Sequence, residues 1–174
     1  MKARLLLAAS VAAALLLAAV ASAAPTAAAT KPCAASGLVI WAGAEPGGGA
    51  AGSVFYRIEF TNLSTATCTL KGYPKVNAVD LKGRRIGAFA TREKGKRVRK
   101  VTLAPGQSAS AKLRIVDALN FPAARCKATT AAGLRVGVPG GTGAKIAPLA
   151  FETCVRSVTR TMSVAPVTGG AAQP

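Results

Sequence analysis

Val54-Phe55-Tyr56-Arg57-Ile58-Glu59-Phe60-Thr61 alternates, with Val54, Tyr56, Ile58 and Phe60 on one side and Phe55, Arg57 and Glu59 on the other. A period of two places successive side chains on opposite faces of a strand, so the stretch reads as a strand with one core-facing side. Residues 108–116 repeat the pattern, Ala109, Ala111, Leu113 and Ile115 standing opposite Ser110, Lys112 and Arg114. Outward from these two, residues 38–41, 68–73, 76–81, 85–91, 98–103, 134–138 and 161–167 read as further short strands. Residues 45–52, Glu-Pro-Gly-Gly-Gly-Ala-Ala-Gly, read as an open loop. Lys82-Gly83-Arg84 is a hairpin connection that makes a meander of three consecutive strands, and Ala104-Pro105-Gly106-Gln107 is a turn. Residues 117–125 form a short helical or irregular crossing, and no stretch holds a helical period. About eight or nine short strands separated by turn residues predict an all-β fold, an antiparallel β-sandwich.

Residues 1–23 read as a secretory signal peptide: Lys2 and Arg4 form a charged start, an apolar run follows, and Ala21-Ser22-Ala23 fits a cleavage site. The run is too short and too Ala-rich for a membrane span, and no later segment reads as one. Residues 24–32, mostly Ala, Thr and Pro, predict a flexible spacer. The domain is expected over residues 33–167 and a disordered tail over 168–174. On the exported side of a membrane, four cysteines (Cys33, Cys68, Cys126, Cys154) predict two structural disulfides rather than metal ligands or a catalytic thiol.

The 23 Lys and Arg less the two in the leader leave 21, which against six acids gives a mature charge of +15. Such a balance points to an anionic neighbour. The chain has no histidine, which removes Ser-His-Asp and Cys-His mechanisms and imidazole metal sites, and no cofactor is expected. The acids are scattered, so no strand face pairs two carboxylates for glycoside hydrolysis. A non-enzymatic protein is the expectation.

The basic segment at residues 82–100 concentrates the charge, above all Arg92, Lys94, Lys96, Arg97, Arg99 and Lys100 beside the single acid Glu93. As the tip and flank of a hairpin, residues 92–100 would bind phosphate-bearing envelope polymers or anionic lipid headgroups; the competing reading is a solvated Lys/Arg edge that prevents aggregation. Phe89 is its only aromatic residue, so stacking platforms are missing and specific nucleic-acid binding is not expected. Trp41, Tyr56, Phe60 and Tyr73 are read as packing rather than as a ligand platform. Arg57 and Glu59 are read as forming salt bridges to neighbouring strands. Asn62-Leu63-Ser64 fits a glycosylation acceptor, and is read instead as a turn in which the Asn side chain bonds the backbone.

Phe60-Thr61-Asn62-Leu63-Ser64, followed by Cys68-Thr69-Leu70-Lys71-Gly72-Tyr73-Pro74 and by Leu103-Ala104-Pro105-Gly106 with its alternating Ser/Ala strand, resembles the actinobacterial secreted domain of unknown function 4232. The resemblance runs from about Cys33 to Val167 and takes in Cys126 and Cys154. It implies an immunoglobulin-like sandwich that is exported or lipid-anchored, and brings no activity or catalytic residues. Thr30-Lys31-Pro32 before Cys33 is not a lipobox, which favours a freely secreted or wall-associated protein. Antibody-type topology is not implied, because Trp41 follows Cys33 too closely and no Tyr stands two residues before Cys68. Of the three pairings four cysteines allow, Cys33 with Cys68 and Cys126 with Cys154 is favoured, each closing a loop of moderate length. The expected function is a secreted, monomeric sandwich that binds the cell envelope or an extracellular protein through basic loops. The alternatives are a protease inhibitor offering residues 92–99 as bait, or an enzyme with a histidine-free site.

Overall fold

The 54–61 stretch lies in an antiparallel hairpin: β2 (Ser53–Asn62) pairs with β1 (Leu38–Ala50) on one side and with β8 (Ser108–Val116) on the other. These strands belong to a computed structural model that describes residues 29–169. The expected leader, residues 24–28 of the spacer and residues 170–174 of the tail lie outside the described residues. Ile58, Phe60, Ala109, Ala111, Leu113 and Ile115 are buried, as the alternation requires. Tyr56 is half-buried and Val54 exposed, because the core ends before the hairpin tip does. There a cleft of about 440 Å³ opens between Val54, Tyr56, Ile115 and Phe151, with Asp117 and Glu152 also on its lining.

Twelve strands are present among the described residues, several of only two to four. One sheet runs β1-β2-β8-β11-β6, with β12 also on β8; a second runs β10-β9-β4-β5; β3 and β7 form a separate ribbon. The remaining bounds are β3 (Cys68–Lys71), β4 (Lys75–Val79), β5 (Arg85–Phe89), β6 (Thr91–Arg92), β7 (Lys100–Leu103), β9 (Ala128–Gly137), β10 (Ala144–Cys154), β11 (Met162–Val164) and β12 (Thr168–Gly169). All pairings between these strands are antiparallel except β11 with β6, and two isolated bridges, Pro32 with Thr69 and Ala34 with Thr142, are parallel. Ile58, Phe60 and Leu113 of the first sheet share one core with Val76, Leu134 and Val136 of the second. The architecture is therefore all-β and sandwich-like, with disulfides Cys33–Cys68 and Cys126–Cys154. Every strand pairing and both disulfides lie within residues 32–169.

Four expectations about elements are corrected. Residues 45–52 are not an open loop: β1 continues to Ala50 with its register shifted between Ala44 and Gly49, and the turn is confined to Ala51-Gly52. Pro46 and the glycines are tolerated because β1 is an edge strand whose partner β2 is strongly strand-forming. The meander is absent, since β3 pairs with β7 whereas β4 pairs with β5 and β9. Gly72, with φ +95°, turns the chain from β3 of the ribbon towards β4 of the second sheet. β10 was not foreseen, because Pro148 interrupts its alternation; the register shifts between Pro148 and Phe151, and an edge position absorbs the break. Order also reaches beyond the expected domain: the Thr69 amide donates to the Lys31 carbonyl (3.0 Å), and β12 takes up Thr168 and Gly169 of the expected tail.

Candidate functional site

Arg92, Lys94, Lys96, Arg97, Arg99 and Lys100 are all exposed. Arg92 ends β6, Lys100 begins β7, and residues 93–99 connect them. The segment is not the hairpin expected from its sequence. β6 is held by β11, some seventy residues later, and β7 by β3, so the chain crosses from the first sheet to the β3–β7 ribbon. A turn does form in the segment, Gly95 taking φ +71°, but a turn does not choose the partners of the strands beside it.

The start of the crossing is fixed. The Glu93 amide donates to the Val164 carbonyl (2.9 Å), and the Tyr73 hydroxyl donates to the Glu93 carbonyl (2.8 Å). The Arg92 guanidinium lies 5.5 Å from the centroid of the Tyr73 ring. Beyond Glu93 the backbone forms one turn at Lys94-Gly95 and then no regular structure up to β7.

The fold adds one cation that sequence reasoning did not assign to the site. Lys71 is the register partner of Lys100 across the β3–β7 ribbon, which puts two ammonium groups on one face of a cross-strand pair. Like charges placed directly opposite are destabilising, and the pairing joins strands about thirty residues apart, so no local signal announced it. Seven cations thus meet one carboxylate, Glu93, whose Oε2 is 3.9 Å from Lys96 Nζ.

The other five acids are engaged elsewhere. Glu45 pairs with Lys112 (3.4 Å), Glu59 with Arg57 (3.9 Å) and Asp80 with Arg84 (2.8 Å). Asp117 caps the 3-10 turn Ala118–Asn120 and Glu152 bonds Thr130. The positive charge on the crossing is consequently uncompensated within the described residues. Such a surface attracts polyanions without selecting their shape, and it assembles no nucleophile, base and acid.

The remaining candidates sort as follows. Phe60 is buried, and Tyr56 and Tyr73 are half-buried, in keeping with packing. Trp41 is a correction: it is 37% exposed on the outer face of the first sheet, because Leu38 and Ile40 take the inward register. Its ring lies over Gly43, where a Cβ would stand 2.5 Å from the indole, and the Arg57 guanidinium is 5.5 Å from the ring centroid. Arg57 Nε lies 3.9 Å from Glu59 Oε2, two residues along the same strand, and the Arg57 guanidinium also reaches the Trp41 ring of β1. Phe89 is flanked by Lys75 (4.6 Å) and Arg85 (4.9 Å), so cations already occupy its faces. Asn62 is the turn residue expected: Oδ1 accepts from the Ser64 amide (3.0 Å), and Nδ2 donates to the carbonyls of Ala66 and Leu103.

Residues 33–168 match the family described as Domain of unknown function (DUF4232). No curated protein and no solved structure matches the sequence.

Proposed function

The chain belongs to the DUF4232 family, and from that premise we propose that it is an exported, non-catalytic binding module whose partner is a phosphate-bearing polymer of the cell envelope. The observation that carries this reading is the crossing between β6 and β7. Seven Lys and Arg side chains, including the opposed Lys71 and Lys100, are gathered there with one acid while the other five acids are engaged elsewhere. A polymer of phosphates neutralises many such side chains at once and releases its counterions in doing so. An isolated small anion meets too few of them to bind well. Two disulfides support an oxidising compartment, where the thiols stay paired.

The test is retention of the chain beginning at Ala24, which contains every residue of the described fold, on inorganic polyphosphate and on isolated cell envelopes across a salt series. A variant with Lys94, Lys96, Arg97, Arg99 and Lys100 replaced by Ser is run beside it. At about 1 kcal/mol per basic side chain, the variant should bind at least roughly a hundredfold more weakly, with a shallower dependence on salt. Equal retention of the two proteins would mean that the charge only solvates and protects the ribbon edge.

A further inference from the structure

A second surface, built from other segments, combines charge with exposed apolar side chains. It is formed by the connection between β8 and β9 and by the one between β10 and β11, clamped together by Cys126–Cys154. The Val155 amide donates to the Lys127 carbonyl (3.1 Å), the Arg156 amide to the Cys126 carbonyl (3.2 Å), and Thr159 Oγ1 to the Arg125 carbonyl (2.6 Å). Ala118, Cys126 and Cys154 form a small core of their own beneath, with Phe121 packed against it.

In these two connections Leu119 and Val158 are 80% and 73% exposed, and Val155 is also exposed. Arg125, Lys127, Arg156 and Arg160 of the same connections are exposed, Arg125 and Arg160 lining one shallow pocket with Val158. Residues 118–128 and 155–160 contain no acid, and Asp117 at their margin has Oδ1 bonded to the Leu119 amide (2.9 Å).

We propose that this disulfide-clamped tip docks on an anionic lipid bilayer, Leu119 and Val158 entering the interface while the four cations meet the headgroups. Leucine and valine side chains gain nothing from a soluble polyanion, whereas transfer into the acyl boundary removes them from water. The cations around them fit a negative surface. A protein partner fits less well, since interface anchors are held in packed pockets whereas these two side chains are largely exposed, which a fluid surface accommodates. The inference does not rest on the polymer-binding reading, because the two surfaces share no residue.

The experiment is co-sedimentation of the chain beginning at Ala24 with vesicles of phosphatidylcholine alone and of phosphatidylcholine with phosphatidylglycerol. The expected result is binding to the anionic vesicles only, weakened about tenfold or more in L119S/V158S, with retention on polyphosphate unchanged. The variant of the basic crossing should show the opposite loss, so failure of one reading is distinguishable from failure of the other. Because Trp41 is the chain's single tryptophan, V158W gives a direct readout: its emission should shift to the blue on adding anionic vesicles, and that of the unsubstituted chain should not. Vesicle binding equal in L119S/V158S, or absent from the unsubstituted chain, overturns the proposal. So does a dimer in gel filtration that the same two substitutions dissolve, which would assign the tip to a second copy.

Discussion

Asn62 is fully buried in β2, and its side chain joins that strand to two other segments: the turn that follows, through Ser64 and Ala66, and the end of β7, through Leu103. Replacement by Ala removes that side chain and leaves the Leu103 carbonyl short of a donor in a buried place. Asn62→Ala should cost about 2–3 kcal/mol, read as a lower urea midpoint at unchanged slope. Asp80 offers a pH-dependent counterpart at the exposed turn between β4 and β5. Its carboxylate accepts from the amides of Arg84 (2.8 Å) and Lys82 (2.9 Å) and from the Arg84 guanidinium. The backbone bond from Arg84 is the largest cause holding its pKa below the ordinary 3.8. A depressed carboxylate stabilises the fold fully above its unfolded value and stops doing so as pH falls through the lower folded value. Amide exchange at Lys82 and Arg84 should therefore lose protection only below about pH 4, and Asp80→Asn should abolish that step. An unchanged profile in Asp80→Asn would show that the turn is held by its backbone alone.

Among the elements, the β3–β7 ribbon sets stability against binding. Lys71 opposite Lys100 is a like-charge pair, so Lys100→Glu should raise thermal stability by a few tenths to about 1 kcal/mol while weakening retention on polyphosphate. Unchanged stability in Lys100→Glu would show that the two ammonium groups are separated by solvent. The same ribbon marks how far the sequence was legible. β8 and the inner half of β2 were readable because a buried face imposes a period of two on adjacent residues. The crossing was readable as a charge run but not as a surface, since its shape depends on β6 finding β11 and β7 finding β3, choices made by residues far along the chain. β10 hid behind Pro148, and the extended β1 behind Pro46 and its glycines, since edge strands tolerate what interior strands exclude. The apolar tip left no pattern because Leu119 and Val158 lie in separate connections, nearly forty residues apart, that a disulfide and tertiary hydrogen bonds unite.

In the whole molecule the two disulfides perform different tasks although they close loops of similar length, spanning 35 and 28 residues. The chain-entropy argument assigns each about 3.5–4 kcal/mol and does not separate them. Their positions do. Cys33 and Cys68 are members of the main core and fasten the chain entering the domain to β3, whereas Cys126 and Cys154 sit in a small core with Ala118 beneath the tip. Loss of the first bridge opens a surface shared by both sheets, and loss of the second frees two connections that the sheets do not need. Hydrogen exchange on C33S/C68S and C126S/C154S should separate the two cases. The first variant should lose protection throughout, including β2 and β8. The second should lose it within residues 117–127 and 154–160, keep β2 and β8 protected, retain polyphosphate binding and lose binding to anionic vesicles. Uniform loss in both variants would mean that the tip and the sandwich unfold as one cooperative unit, and the tip's lipid contact would then have to be assayed by surface substitutions alone.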